Sequence, residues 1–358
     1  MRVLLTGGSG FIAAHVLDYL IQRGFSVVTT VRSSAKADKI RAAYPTVGTD
    51  RLDFAIVEDI AREDAFDDAL TSFTPPFEAV IHTASPFHFN VTDVQRDLLD
   101  PAIKGTTGLF RSIIKNAPTV KHVVITSSFA SIVNPFKGSW PEHTYTEEDW
   151  NPVTLQQASE SIPNGYRASK TFAERAAWEF VQPQQQQKKV SSSPASSFSL
   201  TTFCPPMVFG PVMSHNLSSL DNLNTSNQII RDLIQGKYKD DKMIPENATF
   251  TWVDVRDLAL CHVLALEKPD EAANQRFLVA AGYFCNRELV EIIRKEHNGL
   301  RDQLPAESSP GGGYPEAGLY KIDNSKVTKM LGFSWRKFVD TVTDTVDSLQ
   351  KVSNIMGS

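Results

Sequence analysis

Cysteine is scarce in this chain of 358 residues: Cys204, Cys261 and Cys285 stand far apart, with no Cys-x-x-Cys pair. That spacing excludes a disulfide framework and leaves small buried hydrophobes as their expected role. The eight histidines include no His-Glu-x-x-His or similar ligand spacing, so no metal is expected. Positive charge is in short supply as well. Lysine and arginine number 36 against 41 acids, a formal net charge of -5, so nothing draws in a phosphate backbone and nucleic acid is not an expected partner. No apolar run reaches the roughly 18 residues of a membrane span. The first residues enter a strand directly, without a basic leader, and a cytoplasmic chain acting on a small molecule is expected, as a monomer or homodimer. No internal repeat is present. The remaining balance, 41% hydrophobic and 22% charged, suits one large or two smaller globular domains.

What is present begins at Arg2 to Ala13, where an apolar run stops at glycines and then turns helical. It reads as strand, tight turn, helix. Gly7 and Gly10 allow a sharp turn and close approach to a ligand, and Ala13 lets the helix pack on its strand. The helix-start amides along Gly7, Gly8, Ser9, Gly10, Phe11 and Ile12 then form a candidate pyrophosphate cradle. The pattern Gly-x-x-Gly-x-x-Ala differs from the common Gly-x-Gly-x-x-Gly.

Five further strands follow in the same alternation: 25–31, 52–57, 79–83, 121–125 and 198–203. This predicts an α/β fold of Rossmann type, a doubly wound parallel sheet. The second strand ends in Arg32, with Lys36 one helical turn on and no acid between them, which selects a 2′-phosphate and hence NADP over NAD. Asp59, with Ile60, leaves the third strand where an adenine would lie; Asp59 reads equally as an N-cap. Thr83, Ala84 and Ser85 leave the fourth strand as small residues beneath a cofactor, while His82 is read as structural. Between 93 and 117, Pro101 and Gly105 predict a kinked or broken helix.

Residues 134–163 read as a loop excursion and 184–197 as a mobile polar insertion. Residues 1–205 are the expected cofactor domain. Residues 206–358 are mainly a smaller C-terminal substrate lobe, with some segments returning to the sheet. In it, Asp254 and Asp257 are read as caps of the next helix that orient Arg256.

The chemistry centres on Tyr166-Arg-Ala-Ser-Lys170, read as opening a helix with tyrosine and lysine on one face. A phenol is a poor acid at neutral pH until a cation stabilises its phenolate, which Lys170 would supply. Thr126-Ser127-Ser128 ends the fifth strand, at the sheet edge where ligands bind. Phe87, Phe129 and Met207 each follow a strand near this edge and are candidate walls of a substrate pocket.

Together these residues resemble the extended short-chain dehydrogenases/reductases, marked by a Thr-Gly-x-x-Gly-x-x-Ala turn with a serine, tyrosine and lysine. Within that family the chain looks most like fungal NADPH-dependent aldehyde and ketone reductases of the yeast methylglyoxal reductase type. The likeness rests on Gly7 to Ala13, Arg32 and Lys36, Asp59-Ile60, His82 to Phe87, Arg96 to Leu99, Thr126 to Ser128, Glu148-x-Trp150-Asn-Pro152, Ala173 to Phe180, Val208 to Pro211 and Asp254 to Asp257. The resemblance implies that Ser128, not Ser127, orients the carbonyl, that Tyr166 donates the proton and that Lys170 tunes it. It also implies cofactor contacts at Pro205, Val208 and Ser226. Ala102 departs from the family's usual asparagine, which anchors a proton-relay water, Met207 stands where the yeast type has tyrosine, and the 184–197 insertion is this chain's own.

A sugar-nucleotide epimerase, a hydroxysteroid-type dehydrogenase and a non-catalytic NADP sensor are the alternatives. Arg32 argues against an NAD-holding epimerase. A sensor has no need of Ser128, Tyr166 and Lys170 together.

Overall fold

The computed structural model describes residues 1–85, 91–188, 198–217, 219–240 and 243–357, with backbone alone for 182–188 and 354–357. Its strands are β1 (Arg2–Thr6), β2 (Ser26–Val31), β3 (Leu52–Ile56), β4 (Ala79–His82), β5 (His122–Thr126), β6 (Thr144–Tyr145), β7 (Ser199–Cys204), β8 (Met207–Phe209), β9 (Thr251–Asp254), β10 (Gln275–Leu278), β11 (Gly282–Tyr283) and β12 (Lys321–Ile322). Its α-helices are α1 (Phe11–Gln22), α2 (Ser34–Ala43), α3 (Asp67–Thr71), α4 (Asp100–Asn116), α5 (Leu155–Ala158), α6 (Ile162–Lys188), α7 (Thr225–Ile234), α8 (Val255–Glu267), α9 (Pro269–Ala272), α10 (Asn286–Glu296), α11 (Ser325–Leu331) and α12 (Phe338–Gly357).

Among the described residues, seven strands pair in parallel in the order β10-β7-β5-β4-β1-β2-β3, a doubly wound sheet that reverses direction beside β1. All five residues of β1 are buried, because helices cover both faces. On one face, Val16, Leu17 and Leu20 of α1 form a helical stripe packed with Leu258 and Cys261 of α8. On the other, Phe110 and Ile113 of α4 meet Ala177 and Val181 of α6. Full burial of each such side chain stabilises by about 1.5–3 kcal/mol. All three cysteines are free and buried. A separate cluster joins Ile230, Trp252, Ile293 and Val346 of the C-terminal part, while β10 and α8 pack with the main sheet.

Several elements differ from the sequence reading. The break before α4 is one π-helical turn, Gln95–Leu99; Pro101 sits in the first turn of α4, where no intrahelical donor is required, and Gly105 lies in unbroken helix. Gly105 instead makes room for Ile60, whose Cδ1 would lie 3.2 Å from an added Cβ. Helix α6 starts at Ile162, one turn before Tyr166, and continues through 184–188, the first part of the expected insertion. Residues 189–197 lie outside the described residues. Asp254 does cap α8, accepting from Arg256 N–H at 2.7 Å, and it pairs with the Arg256 side chain. Asp257 does not orient Arg256, because the C-terminal segment brings Arg336 to it, and both the backbone N–H and the guanidinium of Arg336 donate to its carboxylate. Asp59 caps no helix: its Oδ1 accepts from Ala61 N–H at 2.9 Å in a local turn, and the next α-helix begins at Asp67.

Candidate active site

The glycine turn is shaped by contacts that exclude side chains. Gly7 has φ +77°, and a Cβ there would lie 3.0 Å from Ala84 Cα; at Gly8 it would lie 2.1 Å from Thr29 Oγ1. The turn therefore packs directly on β2 and on the segment leaving β4. Thr83 Oγ1 donates to the Thr6 carbonyl at 2.7 Å, and Ala84 N–H donates to Thr6 Oγ1 at 3.2 Å, fixing that segment beside β1. His82 shares a 2.8 Å hydrogen bond with Thr6, and burial, with Lys170 adding to it, lowers its pKa to about 3. It is neutral and structural.

Helix α1 starts at Gly10 with no side-chain cap and no acid in its first turn. Its free amides face a groove of about 610 Å³ bordered by Ser9, Gly10, Phe11 and Ser85, and across it by Asn216 and Gln228. A pyrophosphate fits such an electropositive helix start. Arg32 and Lys36 are exposed beyond β2, and Lys36 Nζ lies 3.4 Å from Ser9 Oγ, beside the turn. This chain's residues therefore fit a phosphorylated dinucleotide. Asn216, which sequence reasoning missed, donates to the Gly10 carbonyl at 2.9 Å; no periodic pattern marks its loop. The residues assigned through resemblance alone are placed less directly: Ser226 Oγ accepts from Val208 N–H at 3.0 Å, and the Pro205 carbonyl accepts from Phe129 N–H.

The end of β5 supplies the hydroxyls. Ser127 Oγ donates to Glu174 at 2.5 Å, whereas Ser128 is set against the Tyr166 phenol at the cleft. That difference separates two neighbouring serines. Burial pushes the Tyr166 phenol up, with Ser128 opposing it, and the phenol carries its proton at neutral pH. Lys170 Nζ lies 5.9 Å from the Tyr166 ring centroid and donates to Ser85 Oγ at 2.7 Å; burial lowers its pKa to about 8. A small cavity of about 30 Å³ borders Lys170, Ile60, Ala102 and Thr106.

Behind these groups lies a buried network invisible in the sequence. Glu174, one turn beyond Lys170, accepts from Ser127, Ser131, Thr202 and Arg276 at 2.5, 2.5, 2.7 and 2.8 Å. Arg276 of β10 also donates to the carbonyls of Glu147 and Asp149 and lies 3.7 Å from the Trp150 ring centroid. Burial alone would push Glu174 up, but Arg276 and the hydroxyls outweigh it and hold the carboxyl below the usual range.

Ser128 and Tyr166 open onto a cleft of about 580 Å³ whose walls include Phe129, Val133, Met207, Phe250 and Leu319. Phe129 is only 3% exposed, held edge-on against Tyr145 and tilted on Tyr320, so it is chiefly a core residue at the cleft border. Met207 is partly exposed there. Phe87 lies outside the described residues. Among the described residues, no group of three or more His, Cys, Asp or Glu is arranged to hold a metal ion, and no helix is long and apolar enough to cross a membrane.

Known proteins share this architecture. The ketoreductase azaE of Aspergillus niger is 46% identical over 351 residues, 97% of each chain. The NADPH-dependent methylglyoxal reductase GRE2 of Saccharomyces cerevisiae is 35% identical over 353 residues, 98% of each. A crystal structure of the yeast methylglyoxal/isovaleraldehyde reductase Gre2 complexed with NADPH matches with a TM-score of 0.88 at 34% identity, over 99% of both chains. Residues 3–280 match the NAD dependent epimerase/dehydratase family, and with relatives this similar along its whole length the chain belongs to that family, the extended short-chain dehydrogenases/reductases.

Proposed function

We propose that this chain is an NADPH-dependent carbonyl reductase that converts a small aldehyde or ketone to an alcohol. The observation that carries this reading is Ser128 set against the Tyr166 phenol at the cleft, with Lys170 one helical turn along α6. The names of the relatives, a ketoreductase and NADPH-dependent reductases, support it.

The bound cofactor supplies the hydride. The chain's part is to hold and charge the carbonyl. Ser128 and Tyr166 offer two hydroxyl donors to one oxygen, and Tyr166 passes its phenolic proton to that oxygen as negative charge develops. Lys170, as the cation nearest the phenolate left behind, favours that transfer. Arg32 and Lys36 take the 2′-phosphate, and the amides of Ser9, Phe11 and Ile12 take the pyrophosphate, the Gly10 amide being held by the Gly7 carbonyl. We assign Met207, and the segment that includes Phe87, to substrate selection, with residues 206–358 supplying most of the remaining cleft.

The test is a loss of NADPH absorbance when small aldehydes and ketones are added to purified protein, with the alcohol identified as product. A protein that binds NADPH and consumes it with none of a broad carbonyl panel is a sensor, and one that interconverts sugar nucleotides without net NADPH loss is an epimerase.

A further inference from the structure

One charged side chain lines the cleft that Ser128 and Tyr166 open onto among the described residues, and it is Arg167, the residue after the tyrosine. The other walls are apolar or hydroxylic: Val133, Met207, Phe250, Pro315 and Leu319 with Ser139 and Thr249. Arg167 is partly buried. Its guanidinium donates through Nη1 to Asn164 Oδ1 at 3.0 Å, a neutral acceptor on its own helix, and no carboxylate among the described residues pairs with it. Burial is the influence that shifts its ionisation, and it pushes it down. A second donor on the same wall lacks an acceptor. Tyr320 borders the cleft, and its hydroxyl is buried with no hydrogen-bond partner among the described residues.

Elsewhere in this chain, several arginines drawn out of solvent are matched to carboxylates, whereas Arg2 and Arg51 donate to backbone carbonyls. Arg276 meets Glu174, Arg256 meets Asp254, and Arg336 meets Asp257. A guanidinium taken partly out of water loses hydration that a neutral amide replaces only in part. Its planar fork suits a carboxylate, which it binds through two parallel charge-assisted hydrogen bonds. The missing counter-charge is therefore most simply carried by the molecule that fills the cleft.

We propose that Arg167 is a specificity-determining residue that selects carbonyl substrates bearing a carboxylate on an apolar body, an oxo acid being reduced to a hydroxy acid. The inference rests on the cleft being the site of carbonyl reduction. The reaction is unchanged: hydride from the nicotinamide forms the new C–H bond, the carbonyl π bond opens, Tyr166 protonates the oxygen, and NADPH leaves as NADP⁺. The carboxylate takes no part in bond making; its contact with Arg167 fixes which end of the substrate meets Ser128 and Tyr166.

The experiment uses phenyl-substituted oxo acids with one to three carbons between ketone and carboxylate, each paired with its methyl ester. For the best-fitting member, wild-type protein should show a higher kcat/KM for the acid than for the ester. In Arg167→Met that acid-to-ester ratio should fall about tenfold or more, carried mainly by KM, and Arg167→Lys should restore part of it. The ratio cancels any general damage to the neighbouring Tyr166. A ratio unchanged by Arg167→Met across the series, or a wild-type preference for every ester, overturns the proposal. Titration of the corresponding hydroxy acids into the NADP⁺ complex reads the same contact without turnover, and weaker binding to Arg167→Met is the expected result. Failure of wild-type protein to reduce any acid or ester would count against the carbonyl-reductase reading, while hydroxy-acid binding insensitive to Arg167→Met would count against this one.

Discussion

Lys170 Nζ on α6 donates to Ser85 Oγ at 2.7 Å, tying the lysine of the Tyr-x-x-x-Lys pair to the segment that leaves β4. Burial brings its pKa from 10.5 down to about 8, so the ammonium is disfavoured in the folded protein relative to the unfolded chain. Between those two values the unfolded chain binds more protons, and stability from this group rises with pH. Without cofactor, the melting temperature of wild-type protein relative to Lys170→Met should therefore increase from about pH 8 to pH 10.5. Thermal melts across that range check it, and a difference flat with pH would mean that solvent reaches the ammonium freely.

Arg32 stands exposed where β2 ends, with Lys36 one turn further and close to Ser9. Each charge-assisted contact to a 2′-phosphate is worth about 1.5–3 kcal/mol. Arg32→Ala should cut the kcat/KM preference for NADPH over NADH about tenfold or more, leaving NADH kinetics nearly as they were. Equal use of both cofactors by the wild-type protein would remove this role from Arg32.

Local features were legible in the sequence. The apolar run of β1 ending at Gly7, the alternation of strands and helices and the Tyr166–Lys170 spacing each depend on residues within a few positions, and they locate the sheet, the groove and the proposed proton donor. Choices made by distant partners were not legible. Glu174 claims Ser127 with Arg276 behind it, 102 positions away, and Arg336 reaches Asp257 across 79. Arg167 was hidden for a related reason: the loops carrying Phe250 and Leu319 carry no periodic signal, yet they close the cleft around it.

Met207 and Phe129 were alike as pocket candidates, but their surroundings differ. Phe129 fills an aromatic cluster, and Phe129→Ala should cost about 3–5 kcal/mol of stability, seen as a lower denaturant midpoint. Met207 is partly exposed in the cleft, where Met207→Ala should change the relative kcat/KM of bulky and small ketones by roughly 1–3 kcal/mol with little loss of stability. Unchanged ratios across a ketone panel would move the selecting wall elsewhere.

Glu174 and Arg276 are both almost fully buried, with side-chain exposures of 1% and 9%. Removing one partner leaves an uncompensated charge, so Glu174→Leu should destabilise by about 3–5 kcal/mol, while the double change with Arg276→Met should recover much of it. The Glu174 carboxyl titrates below its ordinary 4.5, so its contribution is complete above that pH and fades as pH falls further. Denaturant titrations of the single and double variants at pH 7 and pH 3.5 test both statements. A double variant no better than the single would place the value of the network in its hydroxyl and carbonyl bonds rather than in the ion pair.

Tyr166→Phe removes one oxygen from a ring that otherwise stays in place. In the wild-type protein burial keeps the phenol loaded with its proton, and Ser128 holds it at the cleft. The phenylalanine variant should therefore lose about 10²- to 10⁴-fold in turnover, the usual worth of a positioned acid, while NADPH still binds. Ser128→Ala should also slow turnover, but it leaves the acid itself intact. Cofactor fluorescence separates binding from chemistry, and single-turnover reduction reads the hydride step directly. Near-normal turnover in Tyr166→Phe would mean that another group, such as water held by Ser128, protonates the oxygen, and that Tyr166 is not the acid.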